Sequence, residues 1–316
     1  MYKKLKIVLA ALWIFVALFL TVVLFRGLDG GFDSFLVFNL KNPDKSILVE
    51  NRESVITTSK GTSEIATFTE KISNLDLKLI HEAVYVEEWE NEYTEVEILS
   101  SLSEDKRPKV YFSGDTLLVK APNRTNLKLN AANDYVKIKL PKNYAKNMSN
   151  IDIETVSGRI SLSDAISERT SASSVSGRIG ISNCDISELK CETVSGRIGA
   201  ENSRFEKVSG ETVSGRCEIL SKVESDFNLS TVSGSIKVDT SVMPKFGGSA
   251  GSVSGSVKVY IPKNDGFKLC YETMSGSITN DFTSTKLKKS GENVYKNGGT
   301  TFDLETVSGS ILISSN

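Results

Sequence analysis

The sequence predicts an all-β fold, a β-helix-like solenoid with coils of about 19–21 residues each, preceded by one N-terminal transmembrane helix. Three observations carry this reading. A short motif, VSGxI in close variants, recurs along the second half of the chain at near-constant spacing. Its flanks alternate apolar and polar residues, the period of a strand. Residues 7–25 form one unbroken apolar run, IVLAALWIFVALFLTVVLF.

The apolar run comes first in the chain. At a rise of about 1.5 Å per residue its length matches a hydrocarbon core of roughly 30 Å. Lys3, Lys4 and Lys6 precede it, and Arg26, Asp29 and Asp33 follow. The positive-inside rule therefore leaves the N-terminus in the cytoplasm and the body outside. A cleaved secretory signal is the rival reading, but the run is longer than such an apolar region and no A-x-A-like site follows it. The expected organisation is a cytoplasmic tail (1–6), a membrane anchor (7–25), a linker (26–45), an N-terminal β region (46–150) and a repeat solenoid (151–316), the protein lying at the cell membrane as a single-pass chain.

Composition narrows the chemistry. The 316 residues carry 38 basic and 39 acidic side chains, so no global field draws the chain to nucleic acid. A single histidine, His81, removes most acid–base and metal chemistry. The cysteines Cys184, Cys191, Cys217 and Cys270 contain no CxxC pair, which argues against a structural zinc site. No cofactor and no metal is expected.

The motif reads VSGRI from Val156, Val175 and Val194, VSGRC from Val213, VSGSI from Val232, VSGSV from Val253, MSGSI from Met274 and VSGSI from Val307. The first five copies are evenly spaced, the next two steps are slightly longer, and the last step, from Met274 to Val307, is much longer. A unit this short buries no core alone. Stacked at about 4.8 Å, successive coils pair their backbones and build a continuous core. Constant spacing then means constant perimeter. Gly158, Gly177, Gly196, Gly215, Gly234, Gly255, Gly276 and Gly309 mark one corner of each coil. Ile153 and Thr155 share one parity and Ile160 and Leu162 the other, so a glycine bend or bulge is expected to reset the alternation. Whether Val156 or the residues beside it face the core stays open.

Before the repeats, strands are expected near 46–49, 55–58, 110–112, 117–119 and 136–140. The segment 81–106 is acidic and interleaved with aromatics, and reads as the solvated strands of an antiparallel hairpin; an acidic recognition loop or cation site is the functional alternative. The stretch from Lys286 to Gly299, which lengthens the last spacing, reads as a protruding polar loop.

One charge feature is periodic. Arg159, Arg178, Arg197 and Arg216 follow the first four motif glycines, and in-register stacking turns them into a ladder, which reads either as a solvated, self-compensated row that discourages aggregation or as a candidate anion-binding stripe. Glu154, Glu192 and Glu211, each five positions earlier, are expected to offset it across the corner. The repeated serines read as corner residues satisfying local backbone groups rather than as nucleophiles, and Cys217, at an Ile position, reads as a buried apolar substitute.

The anchor, the LPKNY strand end at Leu140, the step IDIETVSGRISL, the serial VSGxI repeats and the closing GGTTFDLETVSGSILI together resemble the DUF4097 family of adhesin-like bacterial proteins, over roughly residues 46–316. That family includes a membrane-anchored protein encoded beside the Lia cell-envelope stress-response system. The resemblance implies a β-solenoid facing the envelope, with no agreed enzymatic activity and no catalytic residues to carry over. The expected function is thus a non-catalytic, adhesin-like interaction protein of the bacterial envelope. Its partners are the membrane, and envelope polymers or a membrane sensor. An accessory role in envelope-stress signalling is the alternative, and a polysaccharide-active β-helix enzyme a remote one. The last coil lacks an obvious cap, so its edge is expected to be covered by the chain's own 286–299 loop, by a second copy through self-association, or by a partner.

Overall fold

The structure, a computed structural model, describes residues 47–48, 56–60, 63–122, 133–283 and 287–316, without the side chains of the first two segments. The predicted anchor at Ile7–Phe25 lies outside the described residues. Among the described residues no helix is long and apolar enough to cross a membrane.

The body is all-β, as expected. In chain order the strands are β1 (Ile47–Leu48), β2 (Ile56–Lys60), β3 (Ser63–Phe68), β4 (Asn74–Lys78), β5 (Ala83–Trp89), β6 (Thr94–Leu99), β7 (Lys109–Ser113), β8 (Thr116–Lys120) and β9 (Tyr135–Pro141). A one-turn helix, α1 (Lys142–Ala145), follows, where Pro141 ends the ladder. Then come β10 (Met148–Thr155), β11 (Ile160–Ser163), β12 (Ile166–Ser174), β13 (Ile179–Ser182), β14 (Asp185–Thr193), β15 (Ile198–Thr212), β16 (Cys217–Ser233), β17 (Ile236–Asp239), β18 (Gly247–Ser254) and β19 (Val257–Ile261). The last five are β20 (Gly266–Ser275), β21 (Ile278–Asn280), β22 (Ser290–Lys296), β23 (Thr301–Ser308) and β24 (Ile311–Ser315).

Each coil lays one strand on either side of a shared core. In the repeat region the coils pair parallel and in register, apart from two irregularities where β15 meets β16, between Glu201 and Arg204 and between Phe205 and Lys207: Ile151 faces Thr170, then Leu189, then Val208, and Ile160 faces Ile179, then Ile198, then Cys217. The strands β15 and β16 are long because each runs through the second corner of its coil, the first part serving one side and the later part the other. Ile151, Ile153, Ile160 and Leu162 are at most 1% exposed, so both strands of a coil point their apolar parity inward. Core volume is shared between neighbouring coils rather than repeated: the Phe227 ring occupies the space that a side chain at Gly248 would need, and the rings of Phe227, Phe302 and Phe267 succeed one another at centroid distances of 6.1 and 5.8 Å.

Stacking is sequential only in the middle. At the N-terminal end β4–β5 lies between β8–β9 and β10–β11. At the other end β23–β24, the last coil of the chain, lies between β18–β19 and β20–β21. Antiparallel strands close the outer coils, β6 on β9, β7 on β8 and β22 on β20. Two expectations change accordingly. The acidic segment 81–106 is not a hairpin: β5 and β6 both pair with β9, which separates them, and the lysines of β9 answer the carboxylates, with Lys139 Nζ 2.8 Å from Glu95 and Lys137 Nζ 2.7 Å from Glu87. The stretch after Lys286 is not a free loop either, because residues 290–296 fold back as β22 onto the open edge of β20. The chain's final strand, β24, is paired on both sides, so the edge of the stack belongs to β21 and β22.

Candidate functional site

The first corner of each coil is built from four motif positions. Thr155 is buried, Val156 half-buried, Ser157 exposed and Gly158 buried, which settles the parity left open by sequence. The buried hydroxyl does the bonding. Thr155 Oγ1 accepts from the Gly158 amide (3.1 Å), as Ser174 does from Gly177 (2.8 Å) and Thr193 from Gly196 (3.0 Å). The same hydroxyls donate to the neighbouring coil's glycine carbonyl, Thr193 to Gly177 at 3.4 Å and Thr212 to Gly196 at 3.3 Å. The exposed serines, by contrast, sit at the edge of bonding, Ser176 reaching the Val156 carbonyl at 3.4 Å.

The glycines are required for close approach, not for backbone angle. None of the eight has a left-handed φ; instead a Cβ on Gly177 would fall 1.8 Å from the Gly158 carbonyl oxygen, and one on Gly196 1.9 Å from that of Gly177. The same contact continues through Gly215, Gly234, Gly255, Gly309 and Gly276 in spatial order. The chain bends at the motif as expected, but the expected reason, tolerance of unusual backbone angles, is corrected. The row begins at Glu82, whose carbonyl receives Gly158. Its buried carboxylate turns back along the chain to accept from the amides of Ile80 (3.2 Å) and His81 (3.1 Å). Glu82 thereby caps the corner ladder.

Arg159, Arg178, Arg197 and Arg216 are all exposed, and their carbonyls are bonded coil to coil, so their backbones stand in one row. Their partners are not those expected. Glu218, on the outer face, holds both Arg197 and Arg216, the latter at 3.2 Å. Glu154 pairs with Lys78 and Glu192 with Lys190, both on the strands before the corner. Among the described residues Arg159 and Arg178 have no carboxylate within ion-pairing distance. Two further glycines, Gly180 and Gly199, lie two positions beyond Arg178 and Arg197 on the same outer face, and a Cβ at either would meet little or nothing, the nearest atom to Gly180 being 3.8 Å away. A stretch of bare backbone thus runs beside the arginines.

The single histidine sits in a buried polar cluster at the N-terminal end. His81 Nε2 is 3.2 Å from Asp134 Oδ2 and 3.8 Å from Glu82. Ser101 donates to Asp134 through both its amide (3.0 Å) and its hydroxyl (3.1 Å), and the Ser100 hydroxyl approaches the same carboxylate at 3.4 Å. These hydroxyls are bonded to the acid and not to the imidazole, which is not the arrangement of a nucleophile activated by a base. The thiols are equally quiet. No disulfide joins the four cysteines, and burial pushes Cys184 up to about 11 and Cys217 up to about 12, with Cys191 higher still. These three stay protonated at neutral pH and fill core volume, Cys217 as its motif position implies. Among the described residues no group of three or more His, Cys, Asp or Glu side chains could hold a metal ion.

The opposite corner of three coils is turned by Asp164, Asn183 and Asn202, each with a left-handed φ of 50 to 59°. Asp and Asn are among the few side chains that tolerate this conformation. Sequence reasoning missed this second row; its signal was an Asp or Asn at the sixth position after Gly158, Gly177 and Gly196. An open groove of about 580 Å³ runs along it, with Arg204 on its wall held by Asp185 (2.7 Å) and Glu224 (2.5 Å).

Comparison with known proteins adds the following. The family model Toastrack DUF4097 matches residues 72–314. Among solved structures, a candidate adhesin from Bacteroides fragilis is 12% identical, with a TM-score of 0.49, covering 83% of this chain and 98% of that one. A candidate lipid-binding protein from Parabacteroides distasonis is 17% identical, with a TM-score of 0.47, covering 80% and 97%. A candidate cell-adhesion protein from Clostridium sporogenes is 15% identical, with a TM-score of 0.30, covering 81% and 100%. No curated protein matches the chain.

Proposed function

The chain belongs to the Toastrack DUF4097 family, and from that premise we propose that it is a non-catalytic interaction protein, tethered to the bacterial membrane through Ile7–Phe25, whose β-solenoid presents its arginine row to an anionic polymer of the envelope. The observation that carries this is the in-register row Arg159–Arg178–Arg197–Arg216 beside the bare backbone at Gly180 and Gly199. Guanidinium forks suit phosphate and carboxylate groups. Arg159 and Arg178 are not neutralised by a carboxylate among the described residues, and the small residues Gly180 and Gly199 let a polymer lie close to the sheet. Bonding of Ser100 and Ser101 to Asp134 rather than to His81 supports a binding role over a catalytic one.

The test is binding of the full chain, in detergent, to isolated wall polymer bearing phosphodiester groups. Replacing all four arginines by Gln is expected to weaken binding by about 4-fold to several-hundred-fold, since exposed charge pairs contribute roughly 0.2–1 kcal/mol each and so about 0.8–4 kcal/mol for four, and to flatten its salt dependence. Unchanged binding would remove the arginine row from the proposal. A crosslinking pull-down from native cells that recovers a membrane sensor, and no polymer, would favour the envelope-stress accessory instead.

A further inference from the structure

The final coil of the chain is not the final coil of the stack. Residues 301–315 are clamped between 247–261 and 266–280, with Ser249 facing Asp303, and Asp303 facing Cys270. Ser249 and Cys270 are therefore equivalent positions, related through this shared partner. So are Ser252 and Thr273, which both face Thr306, and Val257 and Ile278, which both face Ile311. The shift between the members of each pair is the step from motif Val232 to Val253 and from Val253 to Met274. The coil 266–280 is therefore already in the register it would need to sit directly on 247–261, one coil spacing closer. The glycine contacts agree: Gly309 rests on Gly255, and Gly276 on Gly309.

Two arrangements of the same strands follow. In one, 301–315 fills the slot. In the other, 266–280 closes the slot itself, and the last coil is left outside, because the far edge of β20 is taken by β22. The released coil would expose Phe302, Leu304, Ile311 and Ile313, each at most 1% exposed in place. It therefore needs a slot elsewhere. An identical slot exists in every other copy of the chain, and a coil seated there regains every pairing it lost. The connection is a tight, exposed turn, the place where a coil would part from its neighbour on exchange: Lys296, Gly298 and Gly299 all have left-handed φ, and Lys296, Asn297 and Gly299 are exposed.

We propose that residues 301–316 form an exchangeable coil through which two copies of this chain join, the coil of one filling the slot between 247–261 and 266–280 of the other. The device goes beyond the polymer-binding reading and does not depend on it.

Cysteine pairs across the slot report the arrangement, since in-register neighbours at about 4.8 Å lie within disulfide reach and residues two coils apart do not. Two full-length chains, each also carrying Cys270→Ser, are co-expressed in one cell, one with Ser249→Cys and the other with Asp303→Cys, and the membranes are mildly oxidised. Exchange is expected to give a covalent heterodimer whose yield rises with expression level. Asp303→Cys with native Cys270 retained should crosslink to whichever chain receives the coil, within the chain when its own coil fills the slot and between copies on exchange, and shows that the slot is formed. A robust Cys270 crosslink with no heterodimer at any expression level would overturn the proposal. A crosslink between Ser249→Cys and native Cys270 within one chain would identify the closed-slot arrangement directly and support it.

Discussion

Consider Gly196→Ala, the addition of one methyl group to a corner. The new Cβ would lie 1.9 Å from the Gly177 carbonyl oxygen and 2.7 Å from Thr193 Oγ1. Ordinary van der Waals contact begins near 3.4 Å, so the two coils must part locally by about 1.5 Å, the difference between that value and 1.9 Å. Three hydrogen bonds cross this gap: Val194 N to Val175 O (3.2 Å), Ser195 N to Val175 O (2.9 Å) and Thr193 Oγ1 to Gly177 O (3.4 Å). A displacement of that size takes all three beyond bonding range. At about 1 kcal/mol for each bond, plus the strain of separating a packed core, roughly 1–3 kcal/mol, the cost is about 4–6 kcal/mol. Gly199→Ala is the control, close by on the same chain segment. It meets nothing within 4 Å and has no left-handed φ, so it should be neutral or stabilise by about 0.4–1 kcal/mol through the unfolded state. Urea unfolding of the full chain in detergent, followed by far-ultraviolet circular dichroism, compares the two midpoints. A large drop for Gly196→Ala beside an unchanged or raised midpoint for Gly199→Ala is expected. Similar midpoints for both variants would refute the close-approach argument.

The hydroxyl before the motif and the one within it should separate as clearly: Thr193→Val leaves the buried Gly196 amide without its acceptor and should cost about 1–3 kcal/mol, whereas Ser195→Ala, at an exposed position, should change the unfolding midpoint little. Glu211 supplies a pH test. It is half-buried and stands in register with Glu192, and burial first, then the Glu192 charge, raises its carboxyl above the ordinary glutamate value. Between that ordinary value and the raised one, the folded protein binds more protons than the unfolded chain, so stability falls as pH rises through the window and remains lower above it. Glu211→Gln should therefore raise the melting temperature more at pH 7 than at pH 4, by about 0.2–1 kcal/mol in stability at the higher pH; an equal gain at both pH values would contradict the assignment.

The repeat made the fold class and the spacing of the coils readable in the sequence, because a stack of equal perimeters leaves its period in the chain. The strands near 110–112, 117–119 and 136–140 were readable from alternation on a half-buried surface. Burial of Cys217 followed from its place in the motif. The candidate site was legible only as a set of positions. That the arginines form a row follows from register, but Glu218 as their partner does not, since Glu218 follows Arg216 closely in sequence and reaches Arg197 only across the stack. Asp134 and Ser101 join the His81 cluster from distant parts of the chain, and no local pattern marks them.

What the sequence determined by itself was local and periodic: strand parity, the corner positions, the identity of the residues that turn outward, and the family membership that these repeats signal. Tertiary structure alone decided why the corner must be glycine, since the reason is a carbonyl of the next coil and not an angle of its own backbone. It also decided the order of the coils. A strand that fits one coil edge fits every edge of the same register, so the sequence holds equivalent positions for β20–β21 and β23–β24, and only the placing of β22 and β23 on the two sides of β20 chooses between them.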